Sequence, residues 1–227
     1  MGKKNIILLV GFVVLGLILA IFFLSPNQQS SNLADNINAS RDLSSNISFS
    51  NGVSSNLEGD HTLGLDKSES IIVEYASLTC PHCATFHGDV FPRIKSELVD
   101  TGKVKYIFRD YPIDPLAMAG SMIAHCSGDN MYFGVIDVLL KTQEEWLFDN
   151  ENPYNGLLKV ARLAGLSEED VKLCLSNTEL FNMIEGNQRL ASSRFGVNGT
   201  PTVFVNNKKI SSLDFDTILS ELGISKD

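Results

Sequence analysis

Two cysteines stand two residues apart in Thr79-Cys80-Pro81-His82-Cys83, directly after the apolar run IIVEYASL at 71–78. Thiols at this spacing can close a disulfide, open it again, and so carry two electrons. Their positions give them different tasks. Proline suits the first turn of a helix, which places Cys80 at a helix N-terminus, where unpaired N–H groups and the helix dipole favour a thiolate. Cys80 is therefore the expected nucleophile. Cys83, almost one turn further in, is the expected resolving thiol. Pro81 and His82 tune the pair, and His82 is expected to bring positive charge or a hydrogen bond to the Cys80 thiolate. A thiolate exists only in the reduced protein, so stabilising it makes the disulfide more oxidising. Moving Cys80 from a pKa of ~8.5 to ~4 raises the potential at pH 7 by roughly 90 mV, because only ionisation gained below ambient pH counts.

The surrounding pattern supplies elements to hold such a pair. Residues 71–76 are β-branched and apolar with one acid inside, a mostly buried strand. A helical pattern follows from Pro81 to about Val99, and residues 104–108, VKYIF, form a second strand. Strand, helix, strand in so short a span indicates a βαβ unit with a right-handed crossover. Helix-compatible spacing fills 115–127, 130–142, 154–164 and 178–195, with a bend expected at Gly186. Strand character returns in TVFVN after Pro201, Asn206-Asn207 is a turn, Lys208-Lys209-Ile210 comes back as a strand, and a final helix covers about 212–222.

The stretch VEYASLTCPHC, residues 73–83, resembles the active-site segment of DsbA-like thiol:disulfide oxidoreductases, whose signature is Cys-Pro-His-Cys. The resemblance covers about residues 59–224. It implies an α/β architecture, a thioredoxin fold interrupted by a helical insertion: first part 59–112, insertion 113–186, second part 187–227. It also implies that Thr200-Pro201 is a cis bond facing the cysteines, where an extended substrate pairs with exposed backbone. Related oxidoreductases place an acid in the first strand and a lysine on the next. That makes Glu74 a candidate for proton transfer with Lys105 as its partner, against the plainer reading that Glu74 faces solvent. The activity implied is donation of the Cys80–Cys83 disulfide to reduced substrate proteins, with a quinone-linked DsbB-like membrane oxidase restoring it. No cofactor is needed, because the two sulfurs carry the electrons.

Cys126 and Cys174 both fall in the insertion. In an oxidising compartment they are expected to pair as a structural disulfide; the alternative is two thiols packed as small hydrophobes.

The N-terminal part reads differently. Residues 6–24 are apolar without one charge, about the length that crosses ~30 Å of hydrocarbon. Lys3 and Lys4 precede this run and no Lys or Arg follows until Arg41, which puts the N-terminus in the cytoplasm and the rest outside. An uncleaved anchor in residues 1–24 is expected, on the periplasmic face of a bacterial inner membrane; secretion after signal cleavage is the alternative. Residues 25–58, with the polar character running on to 66, are rich in Ser and Asn and read as a disordered tether.

Other classes fit less well. The net charge of −9 argues against a nucleic-acid footprint. Zinc would find Cys80, Cys83 and His87, one ligand short of a structural site, so no metal is expected and His87 reads as a polar helix position. A reductase uses the same fold with electrons reversed, which Pro-His between the cysteines disfavours. An isomerase usually needs a dimerisation domain, which is not visible here, so a monomer is expected. A tethered chaperone or binding module leaves the cysteine pair unexplained.

Overall fold

The computed structural model describes residues 52–148 and 152–225. The apolar run at 6–24 and most of the tether lie outside the described residues. Among those described, no helix is long and apolar enough to cross a membrane.

Strands β1 (His61–Leu63), β2 (Ser70–Ala76), β3 (Val104–Asp110), β4 (Thr202–Val205) and β5 (Lys208–Lys209) form one sheet in the order β1-β3-β2-β4-β5. β2 and β3 are its parallel centre; the other pairings are antiparallel. The β2–β3 crossover is α1 (Pro81–Asp89), which runs on through Phe91–Arg93 into a wider π-type segment, Ile94–Val99. Among the described residues six helices follow: α2 (Pro115–Cys126), α3 (Asp129–Lys141), α4 (Gln143–Leu147), α5 (Pro153–Leu163), α6 (Glu168–Leu175) and α7 (Thr178–Phe195). The chain then re-enters the sheet at β4 and ends in α8 (Phe215–Glu221). This is a thioredoxin-type α/β fold with a helical insertion. The helix at Gly186 runs without a break, since one glycine costs only about 1 kcal/mol in an otherwise supported helix. Asn206 and Asn207 take positive φ of 47° and 71° in the β4–β5 turn, a conformation asparagine tolerates.

The centre of the sheet is covered on both faces. Side chains alternate along each strand. Ile72 and Ala76 of β2, with Val104, Tyr106 and Phe108 of β3, pack into the main core beneath α1 and the insertion. Val73, Tyr75 and Ile107 fill a smaller core on the other face with Ala191 and Phe204. This is why both central strands read as nearly unbroken apolar runs.

The tether reading needs correction over residues 52–66. Val53 is buried, and β1 adds to the edge of β3. The anchor is Arg109, which binds Asp60 at 2.7 Å and donates to the carbonyls of Val53 (2.7 Å) and Ser55 (2.6 Å) and to the Tyr75 hydroxyl (2.8 Å). Composition suggests disorder here because the ordering groups are distant in sequence: one buried guanidinium satisfies several otherwise exposed backbone carbonyls.

Candidate active site

Cys80 is the N-cap of α1, with extended backbone (φ −83°, ψ 119°) and no side chain capping the helix. The free N–H groups of the first turn therefore remain available to its sulfur. The carbonyls of Leu78 and Cys80 are held from across the insertion by Gln143, whose buried amide donates at 2.8 and 3.1 Å. Thr79 donates to the Asp114 carboxylate, which also caps α2. The turn before the nucleophile is thus fixed by residues of the insertion. Sequence reasoning missed Gln143 and Asp114. The N-cap position of Asp114 before Pro115 was a visible signal; Gln143, some sixty residues away, gave none.

The two thiols, free in this structure, differ in access and in acidity. Cys80 retains 6% exposure and Cys83 none. A hydrogen bond from the Cys83 thiol draws the Cys80 pKa down to about 5 against the effect of burial, helped by the Thr200 side chain and the backbone N–H groups of Cys83 and His82. Burial pushes the Cys83 thiol well above its usual range, reinforced by its bond to Cys80 and the nearby charge of Glu74. The two thiols therefore differ in burial and in pKa direction, but not through every cause expected from sequence. The His82 imidazole is exposed and makes no hydrogen bond among the described residues; only its backbone N–H contributes. Pro81 occupies the first helical position, as expected.

Thr200-Pro201 is cis. The Thr200 carbonyl lies 3.2 Å from Cys80 Sγ, so the loop before β4 stands directly against the nucleophile.

Glu74 is fully buried, which removes the solvent-facing reading, but Lys105 is not its partner. In the parallel register Glu74 stands opposite Phe108, and alternation puts Tyr106 on its face and Lys105 on the other. Lys105 pairs instead with Asp66 at 2.9 Å. Glu74 accepts hydrogen bonds from Tyr106 and from His87 Nε2, the latter at 3.0 Å. His87, expected on a polar helix face, is only 1% exposed and stacks on Phe91. Cys126 and Cys174 are bridged, tying α2 to α6 beside Met118, Met122 and Ile184.

A prediction follows from the Cys80 environment. The thiolate of the reduced protein should titrate near pH 5, read as ultraviolet thiolate absorbance or alkylation rate. Because this folded-state pKa is depressed, the stabilisation it gives the reduced form is present above the ordinary thiol range and disappears as pH falls through about 5. A midpoint above 8 would contradict the arrangement described.

A sheet of this topology, a helix capped by the first of two close cysteines and a facing cis-proline loop define a thioredoxin-type thiol–disulfide centre. The family model for thioredoxin matches residues 56–222, and the chain belongs to that family, in its DsbA-like branch. It is 34% identical over 163 residues to a Rickettsia conorii chain whose name assigns it as a protein-disulfide oxidoreductase, covering 71% of this chain and 58% of that one. This chain thus spans somewhat over half the length of those curated relatives. Disulfide bond formation protein D of Bacillus subtilis is 25% identical over 173 residues, covering 71% of this chain and 75% of that one. The crystal structure of Wolbachia pipientis alpha-DsbA1 superposes with a TM-score of 0.68 at 29% identity, covering 74% of this chain and 91% of that one.

Proposed function

We propose that the chain is a disulfide oxidoreductase that donates the Cys80–Cys83 disulfide to reduced substrate proteins through a mixed disulfide at Cys80. The observation that carries this reading is the pairing of an acidic Cys80, which keeps 6% exposure beside the Thr200 carbonyl, with a Cys83 that keeps none. At pH 7 a pKa of about 5 gives two units of ionisation over an ordinary thiol, which moves the couple toward oxidant by about 60 mV. That is less than the roughly 90 mV that a pKa of ~4 would give; thiol and backbone donors act here where His82 was expected from sequence to contribute charge or a hydrogen bond. The names of the relatives above support the same chemistry.

The cis-Pro loop offers backbone beside the nucleophile for an extended substrate. A cleft lined by Ile113, Pro115, Met118 and Phe181 adjoins Asp114, the partner of Thr79, and suits apolar substrate side chains. The bridged Cys126–Cys174 pair supports an oxidising compartment. With the uncharged apolar run at 6–24, it supports anchoring at the periplasmic face of a bacterial inner membrane, where a quinone-linked DsbB-like oxidase would restore the disulfide. In the test, oxidised protein is mixed anaerobically with a reduced dithiol peptide. One peptide disulfide should form per Cys80–Cys83 pair consumed; no transfer would exclude donation.

A further inference from the structure

The edge strand β1 is three residues long, and its first residue belongs to a line of four side chains drawn from four elements. Asp110 ends β3, His125 lies on α2, His61 opens β1 and Asp129 opens α3. Three contacts join them in that order: Asp110 Oδ2 to His125 Nε2 at 3.0 Å, His125 Nδ1 to His61 Nε2 at 3.1 Å, and His61 Nδ1 to Asp129 Oδ1 at 3.4 Å. The side chains of His61, His125 and Asp110 are only 12%, 9% and 7% exposed, whereas Asp129 is 95% exposed. The His61 ring lies flat on Tyr132, with centroids 3.6 Å apart.

The proton positions follow from the inner end of this line. Burial opposes charge on Asp110, but hydrogen bonds from His125, Ser121 and Tyr132 hold its pKa below the usual carboxylate range. A carboxylate only accepts, so the 3.0 Å contact requires a proton on His125 Nε2. A neutral His125 then accepts at Nδ1, and the 3.1 Å contact requires the His61 proton to sit on Nε2. His61 Nδ1 is left bare, facing Asp129. One added proton completes the line, because it gives Nδ1 a hydrogen for Asp129 and sets a single positive charge between two carboxylates. A second added proton has no place. It would point N–H groups at each other across the 3.1 Å contact and set two cations side by side. While β1 is docked the pair therefore holds at most one added proton; with β1 detached, each ring can take its own.

We infer that the His61–His125 contact is a pH-sensitive clasp, which holds β1 against β3 and α2 at neutral pH and lets it detach in mild acid. Detachment bares the backbone groups of the β3 edge. The other titratable or charged groups facing His61 do not change over this range. Asp60 is paired with Arg109 of β3. The Tyr132 phenol of α3 is held well above its usual range by burial and by Asp110, so it stays neutral. Beside His125, α7 contributes Met183, Ile184 and Asn187, none of which titrates. For His61 itself, burial and then His125 lower the pKa, against the attraction of Asp129, Asp110 and Asp60. Docking is thus fully supported above the usual histidine value of about 6.5. It loses that support as pH falls through 6.5 toward the lowered value, because the detached strand binds protons more readily.

Amide hydrogen exchange of the full chain at pH 7.0 and 5.5, corrected for the intrinsic rate at each pH, tests this. The open fraction of residues 57–65 should rise by at least about tenfold on acidification, while that of β4 changes little. Replacing both rings, His61→Gln with His125→Gln, keeps an amide at each position and removes both titrations, so the open fraction should then be the same at the two pH values. No rise in the wild-type protein, an equal rise in β4, or an undiminished rise in the double variant would overturn the inference. Should the double variant already be open at pH 7.0, Asp129→Asn decides. Asp129 is exposed at the first position of α3, so its replacement leaves the fold intact. Loss of its attraction should lower the His61 pKa further, read by NMR titration, and raise the open fraction at pH 5.5. An unmoved His61 titration would overturn the clasp, as would a neutral His61 that carries its proton on Nδ1. None of these readouts involves Cys80 or Cys83, so the clasp stands or falls apart from the disulfide-exchange reading.

Discussion

Cys80→Ser is expected to abolish disulfide transfer, whereas Cys83→Ala is expected to complete one exchange and stop. In the first variant the remaining thiol is fully buried and its pKa is held well above the usual thiol range, so it offers neither access nor thiolate to a partner. Transfer to a dithiol peptide should fall to the rate of the peptide alone. In the second, Cys80 keeps its helix N-terminus and its backbone donors, though it loses the Cys83 hydrogen bond, the largest contribution to its acidity. It should still attack a disulfide and then accumulate as a mixed species, visible by mass spectrometry. Its thiolate should titrate above 5 for the same reason. Trapping at Cys83 in the Cys80→Ser variant would reverse the assignment of nucleophile and resolving thiol.

The second large effect concerns stability. The Cys126–Cys174 bridge closes a loop across a sequence separation of 48 and joins α2 to α6 within the insertion. In the chain-entropy model, closing such a loop removes about 4 kcal/mol of freedom from the unfolded chain. Replacing both cysteines with alanine should therefore lower stability by about that amount, or about 10 °C in Tm for a domain of this size. Disulfide transfer at 25 °C should be retained, because neither sulfur touches the Cys80–Cys83 turn. A parallel loss of transfer in folded protein would mean that the insertion does more than hold Gln143 and Asp114 against that turn.

Much of this was legible in the sequence, for identifiable reasons. The strands β2, β3 and β4 are nearly continuous apolar runs, and Pro81 and Pro115 mark helix starts by their fixed φ. The Cys-Pro-His-Cys stretch carried the chemistry because its spacing alone places one thiol at a helix end and the other inside it. What sequence could not supply was side-chain partnership across the fold. Lys105 fits Glu74 by analogy, yet a strict alternation in β3 sends it to the opposite face and brings Tyr106 inward. His87 looked like a surface position because a lone polar residue on a helix usually is one; its burial follows from a carboxylate that arrives from β2. Residues 52–60 looked unstructured because Arg109, the group that orders them, is about fifty residues away and on another strand.

The equilibrium reduction potential of the Cys80–Cys83 pair, measured against glutathione at pH 7, tests the central claim most directly. Disulfide donation predicts a value well above the roughly −180 mV of an isomerase-type pair. A value near the roughly −270 mV of thioredoxin would contradict it and assign the chain to the reductases.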